Sequence, residues 1–176
     1  MDITIRLAIP ADAQDMAKVG MSSWEAAYKD ILSADYIREK NASRLEQFKR
    51  NITSENNEQY VIQLDGKTIG IMKIALPVDD DLDDTFYEVH FIYLNPDYFR
   101  RGIGTQAIKF AFDKARELGK KNVSIWVFSE NTRTIKFYEK CGFVRDGKRA
   151  MQDRGRPVEI IRMQSSLLGS HSNSNF

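Results

Sequence analysis

Two hydrophobic periodicities divide the chain into strands and helices. Apolar residues alternate with polar ones from Ile3 to Leu7, which predicts a strand, and they recur at helical spacing over residues 102–118. The turn-forming pair Asp65-Gly66 between two apolar runs predicts a hairpin. The remaining predicted elements are helices from Asp12 to Tyr28, after Ser33 and over 131–140, and strands at 59–64, 67–76, 86–94, 123–127, 143–149 and 157–163.

The order of these elements is β-α-α-β-β-β-α-β-α-β-β. Hairpins on either side of a single βαβ crossover predict a mixed α/β domain, because a regular doubly wound fold would alternate strand and helix throughout. The chain has 176 residues, a length that suits one domain and is short for two. We expect this domain to cover residues 1–164, and the Ser- and Asn-rich residues 165–176 to form a disordered tail.

The composition narrows the class of protein. The 26 Lys and Arg residues and 25 Asp and Glu residues give a net charge of +1, which argues against a dedicated nucleic-acid-binding protein. Cys141 is the only cysteine and the chain has two histidines, so we expect no disulfide and no metal site. No apolar stretch is long enough to span a membrane, and the first residues do not resemble a signal peptide, so we expect a cytoplasmic protein.

The segment from Pro96 to Thr105 leaves a predicted strand and begins the strongest helix. The first N–H groups of a helix have no internal partner and carry partial positive charge, and glycines admit a ligand close to the backbone. Arg100 and Arg101 add fixed positive charge. Together these features predict a site for a pyrophosphate group. On this segment alone, an ordinary helix start with solvated arginines remains open.

Two better-known phosphate motifs do not fit this segment. Gly102, Gly104 and Ala107 match the spacing of the dinucleotide-binding fingerprint, but about seven residues separate Leu94 from the first glycine, and hairpins precede the unit. A Walker loop requires Gly-Lys-Ser or Gly-Lys-Thr, which the segment lacks. We therefore expect neither a Rossmann site nor a P-loop.

A second segment, residues 131–143, reads NTRTIKFYEKCGF. Together with NPDY at 95–98 and RGIG at 101–104, it resembles the GNAT superfamily of acetyl-CoA-dependent N-acetyltransferases. The glycine loop is similar to that family's Gln/Arg-x-x-Gly-x-Gly/Ala motif, with Phe99 at the position of the Gln or Arg. The second segment is similar to the family's Asn-x(6)-Tyr-Glu-x-x-Gly-Phe motif.

The resemblance, which is tightest from Glu88 to Val144, implies a fold and a cofactor site. The fold is a mixed, mainly antiparallel sheet with helices on both faces, and the strands that end at Leu94 and near Val127 splay apart to admit acetyl-CoA. The implied cofactor contacts are strand backbone beside the pantetheine, the glycine loop beside the pyrophosphate, and one asparagine beside the pantetheine arm: Ile92, Tyr93 and Leu94; Arg100, Arg101, Gly102, Ile103, Gly104 and Thr105; and Asn131.

The resemblance also implies transfer of an acetyl group from acetyl-CoA to a primary amine, which is a small amine, a polyamine or an amine of a protein or peptide. A base or a water chain must deprotonate the amine, which titrates at about pH 10, and an acid can protonate the departing thiolate. Tyr138 is the candidate acid, since a phenol keeps its proton at neutral pH. Glu88 and His90 share one strand face and are the candidate bases; a surface carboxylate and a core histidine are the alternatives.

Other residues are candidates for the acceptor site. Trp24 and Tyr28 share a predicted helix face and either enclose the acceptor or pack in the core. The acidic run from Asp79 to Asp84 either attracts a cationic acceptor or forms a solvated loop. We do not expect Cys141 to be a nucleophile, because no histidine lies near it in sequence. The predicted partner is an amine substrate, without nucleic acid or membrane, and the protein is a monomer or homodimer; a non-catalytic acyl-CoA-binding sensor is the alternative function.

Overall fold

The computed structural model describes residues 2–55 and 57–168, and its elements follow the predicted order. Short 3₁₀ turns at 10–12 and 96–98 precede the first and third helices. Within the described ranges, no helix is long and apolar enough to cross a membrane. The strands are β1 (Ile3–Leu7), β2 (Gln59–Leu64), β3 (Lys67–Ala75), β4 (Phe86–Leu94), β5 (Asn122–Phe128), β6 (Val144–Asp153) and β7 (Pro157–Ser166), and the helices are α1 (Ala13–Tyr28), α2 (Ala34–Ile52), α3 (Ile103–Glu117) and α4 (Thr132–Lys140).

The seven strands form one sheet in the order β1-β2-β3-β4-β5-β7-β6. β4 and β5 run parallel because α3 crosses over between them, and the other neighbouring pairs of this sheet are antiparallel. α1 and α2 pack against one face of the sheet and α3 and α4 against the other. The mixed, mainly antiparallel sheet with helices on both faces is therefore confirmed.

Alternating side chains of the central strands form two hydrophobic cores. Val61 and Ile71 pack with the apolar face of α1 and α2, whereas their neighbours Ile62 and Met72 pack in the core beneath α3 and α4. This alternation is the period of two that a strand imposes on its side chains. Because β4 lies between these cores, helices approach it from both sides.

β4 and β5 separate part-way along their length. Residues 86–89 pair with residues 122–125, and the pairing stops there, although β4 continues to Leu94 and β5 to Phe128. β3 still pairs with β4 as far as Leu94, and β7 still pairs with β5 as far as Phe128. The sheet therefore splits between its fourth and fifth strands, as the family resemblance implies.

The first two helices begin within one residue of where the sequence predicts, but for different reasons. Ser33 caps α2, since its hydroxyl accepts a hydrogen bond from the Tyr36 N–H at 3.2 Å. Asp12 does not cap α1 with its side chain; its carboxylate accepts from the Ile9 N–H at 2.8 Å and pairs with Arg6 at 2.8 Å. The helix thus starts one residue after its predicted start, and the Asp12 side chain ties β1 to the start of α1.

The ordered domain continues past its predicted end at Gln164. β7 runs to Ser166 and stays paired with β5, and Leu167 donates its N–H to the Lys121 carbonyl at 2.8 Å. The Leu167 side chain is buried in the core beneath α3. A disordered tail from residue 165 is therefore wrong for residues 165–168, while residues 169–176 lie outside the described residues.

Candidate active site

The split in the sheet opens into a cleft with a volume of about 1310 Å³. Its walls come from α1, β4, the start of α3, β5, α4 and the β6–β7 hairpin. The predicted catalytic residues Tyr138, Glu88 and His90 line this cleft, and so do Trp24 and Tyr28. Every predicted cofactor contact lines it as well, with the exception of Arg101. The structure thus gathers nearly all of the predicted site residues around one space.

The glycine loop presents the start of α3 to the cleft. Gly102 has a φ of 76°, in the left-handed region that favours glycine, and it precedes the helix without any side-chain cap. No acidic residue lies in the first turn of α3. The free N–H groups and partial positive charge of this helix start therefore face an open space that suits an anion. Arg100 lines the same space, whereas Arg101 instead lies over the Tyr98 ring, 5.2 Å from its centroid.

An arginine from α4 approaches the position at which the loop departs from the family motif. The Arg133 guanidinium lies over the Phe99 ring, 5.1 Å from its centroid, and Arg133 lines the cleft. Phe99 stands where the motif has a Gln or Arg, so Arg133 places a cation beside the side chain that lacks one. Sequence reasoning missed Arg133, because only the fold brings the second residue of α4 against the glycine loop.

Gly104 is required for packing as well as for the loop. A Cβ at this position would lie 3.0 Å from Cζ of Phe137, closer than ordinary van der Waals contact. The absence of a side chain therefore lets α4 pack directly on the first turn of α3, and this contact holds the two helix starts at the same end of the cleft.

Asn131 and Tyr138 lie at the start and near the end of α4. The Asn131 side chain caps the helix by accepting from the Thr134 N–H at 3.2 Å, which leaves its amide N–H groups for the cleft. Tyr138 is buried between Phe137 and Phe143. Burial raises the pKa of its phenol well above the usual value, and the nearby Tyr93 adds to this effect. Tyr138 therefore holds its proton at neutral pH.

Glu88 and His90 lie side by side at the point where β4 and β5 separate. Glu88 Oε1 lies 3.3 Å from His90 Nδ1, and His90 Nε2 donates to the Leu76 carbonyl at 3.2 Å. Burial raises the pKa of Glu88 to about 7, and Asp79 raises it further, whereas Ser124, at 3.5 Å, opposes the shift. Burial lowers the pKa of His90. Both shifts favour the neutral forms, so the pair is able to take up or release a proton near neutral pH.

Aromatic rings form the wall opposite Tyr138, called here the aromatic wall and made of Trp24, Tyr28, Tyr93 and Phe128. Trp24 meets the edge of Tyr28 with centroids 5.3 Å apart, and Tyr28 meets Phe128 at 5.1 Å. Trp24 also contacts Tyr93 at 6.3 Å. These rings line the cleft, and Trp24, Tyr28 and Phe128 also pack on the core between α1 and the β6–β7 hairpin. That Trp24 and Tyr28 enclose the acceptor stays a prediction.

The acidic run is anchored to the sheet and is not a free solvated loop. Asp79 accepts from Trp126 Nε1 at 2.8 Å and lies 3.4 Å from Arg162, and Asp81 pairs with Arg162 at 2.8 Å. Asp79 and Asp81 of the run are therefore paired with cations within the protein. Burial raises the pKa of the Cys141 thiol, which opposes formation of the thiolate that a nucleophile needs.

This geometry agrees with one protein family. The family model for acetyltransferases of the GNAT family matches residues 24–143, more than half of the chain. The chain belongs to the acetyltransferase (GNAT) family. The matched region begins at Trp24 of α1 and ends at Phe143, so it includes the aromatic wall of α1, the Glu88–His90 pair, the glycine loop and α4.

Several GNAT proteins are similar to this chain in sequence. An uncharacterised N-acetyltransferase of Methanocaldococcus jannaschii is 31% identical over 97 residues, which are 54% of this chain and 43% of that protein. The peptidyl-lysine N-acetyltransferase YjaB of Escherichia coli is 24% identical over 163 residues, which are 93% of this chain and 97% of that protein. The match spans about half the length of the first curated relatives.

A solved GNAT structure has the same fold. The PaiA N-acetyltransferase of Thermoplasma acidophilum, crystallised in complex with coenzyme A, superposes with a TM-score of 0.75 and 22% sequence identity. The alignment covers 94% of this chain and 99% of that chain. At this level of identity the likeness establishes the fold.

Proposed function

We propose that this protein transfers an acetyl group from acetyl-CoA to an amine. The observation that carries the proposal is the arrangement of proton-exchanging groups around one cleft. The Glu88–His90 pair lies where β4 and β5 part, and the buried phenol of Tyr138 lines the same space. A group able to take a proton near neutral pH and a group able to give one are what acetyl transfer to an amine requires.

The residues at the other end of the cleft fit coenzyme A. The uncapped start of α3, Arg100 and Arg133 supply N–H donors and positive charge for a pyrophosphate. β4 beyond Val89 is unpaired on its β5 side, so its backbone is free to bond an extended pantetheine arm. When bound, acetyl-CoA supplies an acetyl group activated as a thioester.

The side chains of this chain then divide the proton transfers between them. The Glu88–His90 pair takes the proton from the ammonium form of the acceptor, so that the amine becomes a nucleophile. A backbone N–H of β4 near Leu94 donates to the carbonyl oxygen as negative charge develops there. Tyr138 gives its proton to the departing sulfur, and the second proton that the attacking nitrogen loses restores the phenol. The aromatic wall excludes water from the reacting atoms and confines the acceptor.

The experiment that tests the proposal measures both binding and transfer. Acetyl-CoA should raise the melting temperature of the purified protein, because a ligand that binds only the folded state stabilises it by mass action. With acetyl-CoA present, a panel of amines should then release free thiol in proportion to acetylated amine. The panel includes small amines, polyamines, amino acids and lysine peptides.

The matched variants Glu88→Gln and Tyr138→Phe should retain the melting shift with acetyl-CoA and lose most of the amine-dependent thiol release. A protein that binds acetyl-CoA but acetylates no amine would contradict the proposal and favour an acyl-CoA-binding sensor. A protein that shows no melting shift with acetyl-CoA would contradict the cofactor assignment itself.

A further inference from the structure

Arg154 presents an unusual cation to the cleft. It lies at the tip of the β6–β7 hairpin, where Nε and Nη2 donate to Gln152 Oε1 at 3.0 and 2.8 Å, and Nη1 donates to the Tyr36 hydroxyl at 3.0 Å. Both partners are neutral. Within residues 2–55 and 57–168, no carboxylate lies at ion-pair distance from this guanidinium. By contrast, the neighbouring Arg156 pairs with Glu130 at 2.7 Å.

The hydrogen bonds of Arg154 fix its position but leave it unsaturated. A guanidinium carries five N–H groups, and three of them are used by Gln152 and Tyr36. One N–H remains on each terminal nitrogen. A carboxylate bound end-on to an arginine takes one N–H from each terminal nitrogen, so Arg154 is held ready for that bidentate contact.

A second arginine lies behind the aromatic wall, and it too has no carboxylate at ion-pair distance in the part of the chain that the structure describes. Arg44 of α2 is 5% exposed, and its guanidinium stacks on Trp24 at 4.6 Å from the ring centroid. Its Nε donates to the neutral Asn41 Oδ1 at 3.2 Å, and its Nη2 is buried without a hydrogen-bond partner. Arg44 therefore adds positive potential beneath the rings that line the acceptor end of the cleft.

Two of the carboxylates that line the cleft have arginine partners of their own. Asp79 lies against Arg162, and Glu130 pairs with Arg156. Asp30 is exposed to solvent, which screens its charge. Glu88 is held largely protonated below neutral pH by burial, which raises its pKa to about 7. Both Arg44 and Arg154 lie close enough to Tyr28 and Tyr93 to oppose the burial that raises the pKa of those phenols.

We propose that the acceptor is a small amine that also carries a carboxylate, which Arg154 binds. This inference rests on the proposed acetyl transfer. The aromatic wall lines the same cleft as Arg154 and suits an apolar side chain, so an apolar amino acid is the class of acceptor that matches the cleft. A polyamine would instead place a second cation near Arg154 and Arg44, where like charges repel.

The test compares acceptors that differ only in the carboxylate. Leucine, methionine and phenylalanine are each assayed against the corresponding amide, with spermidine and a lysine peptide as further acceptors, by thiol release at saturating acetyl-CoA. We expect higher kcat/KM for the acids. Simple reactivity favours the amides, because their amines are less basic and hence more often neutral, so a preference for the acids reports recognition.

Variants of the arginine give the decisive comparison. Arg154→Gln should lower kcat/KM for the acids roughly tenfold to hundredfold, since a hydrogen bond to a charged group is lost, and should lower it much less for the amides. Arg154→Lys keeps the charge without the fork and should restore part of the loss. Arg149→Gln is the matched control, because it removes the same charge from β6 at an exposed pair with Glu159 that does not line the cleft.

A binding measurement separates this inference from the proposed function. In the presence of coenzyme A, the acids should raise the melting temperature of wild-type protein but not of Arg154→Gln. Acids that bind in this way without being acetylated would support the carboxylate site and contradict acetyl transfer. Amides, spermidine or a lysine peptide used as well as the acids would overturn the carboxylate site and leave acetyl transfer standing. Acids that neither bind nor react would also overturn it.

Discussion

Glu88 and Arg162 lie on β4 and β7, are equally buried, and have opposite surroundings. Glu88 is 4% exposed and Arg162 is 5% exposed. Arg162 donates to Asp146 at 2.6 Å and to Asp81 at 2.8 and 2.9 Å, and these bonds raise its pKa above the usual value. Glu88 has no arginine or lysine at ion-pair distance in the described chain, and burial raises its pKa to about 7.

The comparison shows what allows a buried side chain to remain charged. Arg162 keeps its charge because carboxylates replace the water that burial removes, so it ties the acidic run and β6 to β7. Glu88 lacks that compensation, and its charge changes easily near neutral pH. One residue is fixed in a single ionisation state for stability, and the other is kept between two states.

The largest expected effect comes from removing the ability of Glu88 to change its charge. Glu88→Gln keeps the size of the side chain but cannot take up a proton, so we expect kcat/KM for amine acetylation to fall by roughly 10²–10⁴-fold. In the wild-type enzyme, kcat/KM for a weakly basic acceptor should rise with pH through about 7 as Glu88 loses its proton, and the variant should lack this rise.

His90→Gln is the matched variant for this prediction, since it removes the other member of the pair. A larger loss in His90→Gln than in Glu88→Gln would assign the base to the histidine. Wild-type kcat/KM in both variants would contradict the pair as the base and would leave Glu88 a buried carboxyl without a role in proton transfer.

The second largest expected effect is a loss of stability when Arg162 is replaced. Arg162→Gln leaves Asp146, whose side chain is 8% exposed, without its cation, so we expect the free energy of unfolding to fall by about 3–5 kcal/mol in urea titrations. The exposed pair of Arg149 and Glu159 is the control, and Arg149→Gln should cost less than about 1 kcal/mol. Equal losses of unfolding free energy in Arg162→Gln and Arg149→Gln would mean that burial of the Arg162 ion pairs adds nothing to stability.

Tyr138 is a buried group that stays neutral, and we expect a smaller loss of activity when it is replaced. Tyr138→Phe keeps the ring and its packing but deletes the proton, and coenzyme A is a fairly good leaving group, so kcat should fall about 10²-fold. Acetyl-CoA binding should change little, as a thermal shift would show. A variant with wild-type kcat at every pH would make Tyr138 a packing residue and water the proton donor.

The smallest effect concerns the pH dependence of stability at Glu88. Its pKa in the folded state, about 7, lies above the ordinary glutamate value of 4.5, so its contribution to stability is fully present below pH 4.5 and is lost as the pH rises through 7. The shift corresponds to at most about 3 kcal/mol. Glu88→Gln should therefore have a higher free energy of unfolding than wild type at pH 8.5 in urea titrations. Equal free energies of unfolding at that pH would show that burying the Glu88 carboxylate does not destabilise the protein.

Most of the fold was predictable because its signals are local. The alternation in β1, the Asp65-Gly66 hairpin and the helical spacing in α3 depend on neighbouring residues, and the structure confirms these elements. The end of β7 was missed because Ser165 and Ser166 carry no strand signal of their own. Their strand conformation comes from pairing with β5, which sequence periodicity does not report.

The site was predictable only where a motif marks it. Gly102, Gly104 and Tyr138 belong to motifs, and the cleft contains them. Arg133, Arg154 and the anchoring of Asp81 by Arg162 come from contacts between distant segments, and a lone arginine in a sequence does not indicate whether a carboxylate will reach it. The roles assigned to Glu88, His90 and Tyr138 stay predictions until the variants are assayed.

The split between β4 and β5 also bears on aggregation. An unpaired strand edge is a surface onto which a strand of another molecule can add, and proteins commonly protect such edges. Here the unpaired part of β4 lies inside the cleft, with residues of α1, α3 and α4 among its walls. Because these elements surround the edge, we expect the opening to add little surface for intermolecular strand pairing.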